Sequence, residues 1–254
     1  MKKFLLVLFF VVSSCTFLIA QKKKTNTSNN AAPSVQNSAT SSVKPPKDSV
    51  DYDIRVYANA VAMGDFYTAI TAIHYKYAKD SNVKWLDTLS RLYFTGGMVR
   101  QAVLSAELVV QKQPNNIAML ELLAMSYSNM GDSKAALAKY EKLFEITQKL
   151  YYQYQCAVEE YNLGRVGECE QRVKSIQDNP AAEKEKININ VGQNQPPQSV
   201  PIKAAALNLL GVLQMKISKN EEAKKSFEES LKLAPDFALA KGNLELLNKP
   251  KDKK

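Results

Sequence analysis

From about Asp51 onward, apolar residues recur at three- and four-residue spacing in stretches of ten to sixteen residues. That is the period of helices that bury one face. Short corners bearing Gly, Asn or Asp separate the stretches, so the pattern predicts a series of helices joined by tight turns. Residues 184–203 break it. In "KININVGQNQPPQSVPI", apolar and polar side chains alternate at Ile187, Ile189 and Val191, and Val200 and Ile202 follow a turn rich in Gly, Gln, Asn and Pro. Alternation with period two predicts a β-hairpin, with a flexible loop as the competing reading. Pro201 has no N–H to give a ladder, which would place the second strand at an edge.

The helical stretches repeat one another. "GDFYTAI" (64–70), "GMVRQAV" (97–103), "GDSKAAL" (131–137) and "GRVGECE" (164–170) each place a small residue five positions after a glycine: Ala69, Ala102, Ala136 and Cys169. The four glycines are 33, 34 and 33 residues apart. A fifth copy, "SKNEEAK" (218–224), has Ser218 in place of the glycine and keeps Ala223. Cys169 and Ala223 are 54 residues apart, one period of 34 and an insertion of 20. Recurrence also decides what Gly131-Asp132 is. A phosphate-cradling loop needs several glycines followed by Lys-Ser/Thr, whereas here a single glycine precedes an acid. It is a corner between helices.

This period, with these residue types, resembles the tetratricopeptide repeat, a helix–turn–helix unit of about 34 residues. With the turn glycine at repeat position 15, position 7 is Val56, Leu89, Leu123, Cys156 and Leu210. Position 8, small where the paired helices cross, is Ala124, Ala157 and Gly211, with Tyr57 and Ser90 departing from the pattern. Position 11 is Tyr93 and Tyr127, and a helix-ending proline stands at position 32 as Pro114 and Pro235. The resemblance implies an all-α, right-handed solenoid: repeats 1–4 over 51–183, the hairpin or loop insertion at 184–203, and repeat 5 at 204–237. A single hairpin of helices cannot bury its apolar face, so the repeats must stack, and the end needs a cap. "ALAKGNLELLN" (238–248) fits a capping helix, with Leu239, Leu244 and Leu247 toward the last repeat, Pro250 as its stop and 249–254 as a basic tail.

The resemblance further implies a non-catalytic scaffold that holds a peptide or partner protein on its concave face, at positions 2, 5, 9, 12 and 13. Here these include Asp87, Arg91, Glu121, Met125, Tyr151, Tyr154, Val158, Tyr161, Asn208 and Val212. "LYYQYQCAVEEY" (150–161) is the strongest patch, because tyrosine joins apolar area to a hydroxyl; packing of Tyr151 and Tyr154 against the insertion is the equal alternative. The subgroup that clamps a C-terminal carboxylate uses Lys and Asn where this chain has Ile54 and Ala58, so that clamp is not expected.

Charge and candidate chemistry narrow the picture. The formal charge is +9, but residues 51–248 hold 23 basic and 23 acidic side chains, so the excess lies in the tails. A neutral body argues against nucleic acid as partner. His74 stands alone without metal-ligand spacing, and there is no phosphate loop, Cys-x-x-Cys pair or nucleophile elbow. The adjacent acids Glu159-Glu160 and Glu228-Glu229 fall on different helical faces. We therefore expect no enzymatic activity, cofactor, metal or small-molecule substrate. Cys156 and Cys169, at positions 7 and 20 of one repeat, admit a disulfide closing a short loop, about 2–3 kcal/mol if unstrained. Two buried thiols are the alternative.

The N-terminus reads as an export signal: Lys2-Lys3, then an apolar run from Phe4 to Ala20. Cleavage after Ala20, lipidation at Cys15 within "VSSC" and an uncleaved membrane anchor are its three outcomes, and all place the body in the periplasm or at the outer membrane. Residues 21–50, rich in Ser, Thr, Asn, Pro and Lys, read as a disordered linker. The expected function is thus an envelope scaffold; the alternative is a Cys15-anchored accessory component that makes contacts through 184–203. Mass spectrometry of the N-terminus of protein taken from its own cells separates the outcomes. We expect a chain beginning at Gln21, against an acylated Cys15 or an intact Met1.

Overall fold

Helix boundaries follow local chemistry. Asp65 and Asp132 sit just before second helices, and their carboxylates accept from the N–H groups of Thr68 and Ala135, each at 3.0 Å. Asn82 and Asn116 do the same at the first helices, accepting from Lys84 N at 3.0 Å and Met119 N at 3.2 Å. Such caps supply partners for N–H groups that a helix start leaves bare. The corner glycine provides the reversal: Gly131 has φ +77°, a left-handed conformation that costs glycine nothing. Ser218 occupies the same corner in the fifth repeat at φ +65°, so the fold imposes this geometry even where a side chain must bear it.

The computed structural model describes residues 51–192 and 195–249, and the expected signal segment, linker and basic tail from 250 lie outside them. The five repeats are the pairs α1 (Tyr52–Ala62) and α2 (Phe66–Asp80), α3 (Val83–Thr95) and α4 (Val99–Lys112), α5 (Ile117–Asn129) and α6 (Ser133–Thr147), α7 (Leu150–Asn162) and α8 (Val166–Gln177), and α9 (Ile202–Lys216) and α10 (Asn220–Leu233). Each first helix packs on the second of its own repeat, which packs in turn on the first helix of the next. The result is the all-α solenoid that the period predicts. Its core runs as three successive clusters, over α1–α5, α5–α7 and α7–α11.

Close approach of the paired helices rests on position 20. Ala69, Ala102, Ala136, Cys169 and Ala223 are all 0% exposed. Opposite them, Ser90, Ala124 and Ala157 are equally buried, and Gly211 lies against Phe227. A Cβ on Gly211 would sit 2.5 Å from the Phe227 ring, so this crossing accepts no larger residue without displacement.

The crossing also corrects the cysteine pairing. Both thiols are free. Cys169 Sγ donates to the carbonyl oxygen of Ala157 at 3.3 Å, so its partner across the crossing is residue 8 of the repeat, not residue 7. Neighbouring residues on a helix point about 100° apart. Cys156 accordingly turns back into the α5–α7 cluster, while Cys169 belongs to the α7–α11 cluster. Burial pushes both thiols up to about 12.

The insertion is a hairpin. After α8 a short turn, Pro180–Glu183, leads into β1 (Lys186–Ile189), which pairs antiparallel with β2 (Gln198–Pro201), Ile187 opposite Val200 and Ile189 opposite Gln198. Ile187, Ile189, Val200 and Ile202 enter the α7–α11 cluster. The Gln198 amide spans to α11 (Ala238–Asn248): its nitrogen donates to Asp236 O, and its oxygen accepts from Ala238 N at 2.9 Å. The insertion thereby caps the capping helix. Ala240 of α11 is wholly buried and Leu239 packs beside it, whereas Leu244 and Leu247 are only half-buried.

Two stability tests follow from these crossings and corners. In a chain starting at Gln21, a thiol reagent at pH 8 should label neither cysteine in the native state and both after unfolding without reductant. Gly211→Ala should lower unfolding free energy by about 1–3 kcal/mol, and Ser218→Gly should raise it by roughly 0.5–1 kcal/mol, both read from urea unfolding.

Candidate partner-binding face

Stacking sets α3 beside α5 and α7 beside α9, and side-chain hydrogen bonds join α5 to α7, so the positions predicted to bind lie along one series of helices. A side-chain ladder between these helices and the second helices of the preceding repeats holds successive repeats together. Residue 11 of one repeat reaches residue 25 of the repeat before it. Tyr93 OH and His74 Nε2 are 2.8 Å apart, and Tyr127 OH donates to Glu107 Oε1 at 3.0 Å. Lys139 closes on the same carboxylate at 2.9 Å. In the next rung Glu160 replaces the tyrosine, and Arg172 bridges from it, with Nε to Glu160 Oε1 at 2.8 Å, to Glu141 at 3.2 Å. Burial and the acceptor Glu107 push the Tyr127 hydroxyl up to about 12, so it stays a donor. The lone histidine is a rung of this ladder.

α7 is buried nearly all round, and this is where sequence and structure part. Glu159 and Glu160 are 1% and 2% exposed. Ser128 donates to Glu159, as does Asn162 Nδ2 at 3.1 Å, so both acids are engaged between neighbours. Tyr154, for which packing against the insertion is the equal alternative, and Tyr161, expected on the binding face, are 7% and 4% exposed and belong to the α7–α11 cluster that includes Ile187, Ile189 and Val200. Burial holds both hydroxyls above their usual range. Lys216 Nζ lies 4.5 Å from the Tyr161 ring centre. Asn208 is buried as well, accepting from Asn243 of α11 at 2.9 Å. These three residues are therefore packing groups. The insertion and α9 fill the space beside α7, and the cap covers α9.

What stays accessible lies mainly toward the middle of the stack. Arg91 is exposed and pairs with Asp87, Nε to Oδ1 2.7 Å. Met125, Tyr151, Val158 and Val212 are half-buried. Glu121 accepts from the Tyr152 hydroxyl across the α5–α7 junction, which fixes its carboxylate beside Tyr151. Tyr151 meets the Tyr152 ring edge-on at 5.3 Å. The open stretch thus offers one cation–carboxylate pair and a run of apolar side chains, a surface for a segment of protein. Sequence reasoning missed the ladder between repeats. Its signal was present in Tyr93 and Tyr127 at one repeat position, one period apart. Among the described residues no three His, Cys, Asp or Glu side chains are grouped to hold a metal.

Comparison with known proteins agrees with this geometry. A family model for the tetratricopeptide repeat matches residues 117–150 and 204–237, the third and fifth repeats in the register above. No curated protein matches the chain. Among solved structures it is similar to a tetratricopeptide repeat protein from Parabacteroides merdae (18% identity, TM-score 0.58, 77% of this chain and 70% of that one). It is also similar to YrrB, a repeat protein with an unusual peptide-binding site (14%, 0.58, 76% and 90%). A third is MamA from Desulfovibrio magneticus (11%, 0.55, 75% and 97%). At these identities the likeness is one of fold. Five stacked helix pairs in a single frame give the chain the fold of a tetratricopeptide repeat solenoid, and two of those pairs match the model of the repeat.

Proposed function

We propose that this protein is a non-catalytic scaffold of a bacterial envelope that holds a segment of a partner protein on the open stretch of its concave face. The observation that carries the proposal is the accessible run from Asp87 and Arg91 through Met125 to Tyr151 and Val158, on helices that the ladder holds in fixed register. A solenoid with these features presents several short contacts at once, and a bound segment then needs few strong anchors. The peptide-binding site named for YrrB supports this use of the fold. The apolar run from Phe4 to Ala20 supports the envelope location. The insertion contributes stability more than contact, because its apolar side chains turn into the core and Gln198 caps α11.

Cross-linking in intact cells, followed by recovery of the partner, tests the face. Arg91→Glu combined with Met125→Ala should leave a folded protein and lower partner recovery about tenfold or more. Tyr154→Ala should instead destabilise the fold by about 3–5 kcal/mol, as loss of a buried aromatic does, and lose partner only in step with unfolding. Full recovery with folded Arg91→Glu/Met125→Ala would remove the concave face as the site.

A further inference from the structure

The repeats serve as controls for one another, and one surface fails the comparison. Positions 18, 22 and 26 of the second helix face outward on the convex side. In repeats 3, 4 and 5 they are Lys134, Ala138 and Lys142; Gly167, Gln171 and Ser175; and Glu221, Lys225 and Glu229. This is an ordinary solvated stripe. In repeats 1 and 2 the same positions are Tyr67, Thr71 and Tyr75, and Arg100, Leu104 and Leu108. Tyr67, Tyr75, Leu104 and Leu108 are 78%, 62%, 69% and 45% exposed. Four large apolar groups on two successive second helices, flanked by the exposed cations Arg100 and Lys112, form an amphipathic face with no acid in its stripes.

The chain that leads into this face narrows the choice of occupant. Residues 21–50 carry Lys22, Lys23, Lys24, Lys44 and Lys47 against the single acid Asp48, and they join the fold at Asp51, the start of repeat 1. Thirty residues of such composition reach roughly 30 Å. The cationic segment and the apolar face therefore act on one neighbourhood. The segment has almost no large apolar side chains to match the face. In a two-fold contact between copies, Arg100 and Lys112 would meet like charges. Tyrosines and leucines bordered by cations, beside a run of lysines, match a bilayer interface with negative headgroups. We propose that the convex face of repeats 1 and 2 docks on an anionic phospholipid surface. The concave face is then left turned away from the bilayer and open to the partner.

Co-sedimentation of the chain Gln21–Lys254 with vesicles of equal phosphatidylcholine and phosphatidylglycerol tests this. Because that chain lacks the apolar N-terminal run, the outcome is independent of how the run is processed. Binding is expected, with little to vesicles of phosphatidylcholine alone. Leu104→Ser/Leu108→Ser should reduce it about tenfold, Lys22, Lys23 and Lys24 changed to Gln should reduce it comparably, and Ala138→Ser, the same position in repeat 3, should leave it unchanged. Circular dichroism checks that each variant is folded, as expected for exposed positions. The proposal is overturned if the folded double variant binds like the parent, or if the parent ignores anionic vesicles and instead forms a dimer that the double variant loses.

Discussion

The helices of each repeat touch where two small residues meet, position 8 on the first helix and position 20 on the second. With Ala69, Ala102, Ala136, Cys169 and Ala223 wholly buried, backbones approach closely enough for the larger groups at position 24 to close the core beneath them. Ile73, Tyr140, Val173 and Phe227 stand there, each buried, and only the second repeat has a small residue, Ala106. The tightest case is Gly211 against Phe227, where the absent side chain is part of the packing. Spacing along the whole stack follows from this contact, because every helix pair presents its faces to the next pair at the separation the crossing sets.

Between pairs, polar rungs add to the apolar contact. The rungs formed by His74 with Tyr93, Glu107 with Tyr127 and Glu141 with Arg172 and Glu160 join outer and inner helices of successive repeats. Buried carboxylates are costly to desolvate unless they are paired. Glu160 has the Arg172 guanidinium and Glu159 has Ser128 and Asn162, so α7 can carry two acids in its core. Such groups bind only one arrangement of neighbours well, which suits an element that must keep register between the fourth repeat, the insertion and the fifth.

The same device makes the two ends of the molecule unlike. Toward the C-terminus, hairpin, α9 and cap draw Tyr154, Tyr161 and Asn208 inward and spend them on stability. Toward the N-terminus, Arg91 and Met125 stay open on one side, and Tyr67, Tyr75, Leu104 and Leu108 on the other. Exposed side chains thus remain on both faces near the end of the fold that the cationic lead segment joins.

The sequence by itself determined the frame. Glycine spacing located the corners, small residues at position 20 located the crossings, period-two alternation placed a hairpin within 184–203, and the last apolar stretch located α11 to the residue. These are local or periodic constraints, written in neighbouring residues. Only the tertiary structure decided that Cys169 meets Ala157 and not Cys156, that Glu159 and Glu160 are both internal, and that Tyr154 and Tyr161 are core. Periodicity states where a side chain points on its own helix. What stands opposite it depends on the insertion, the next repeat and the cap, and those distances along the chain leave no period to read.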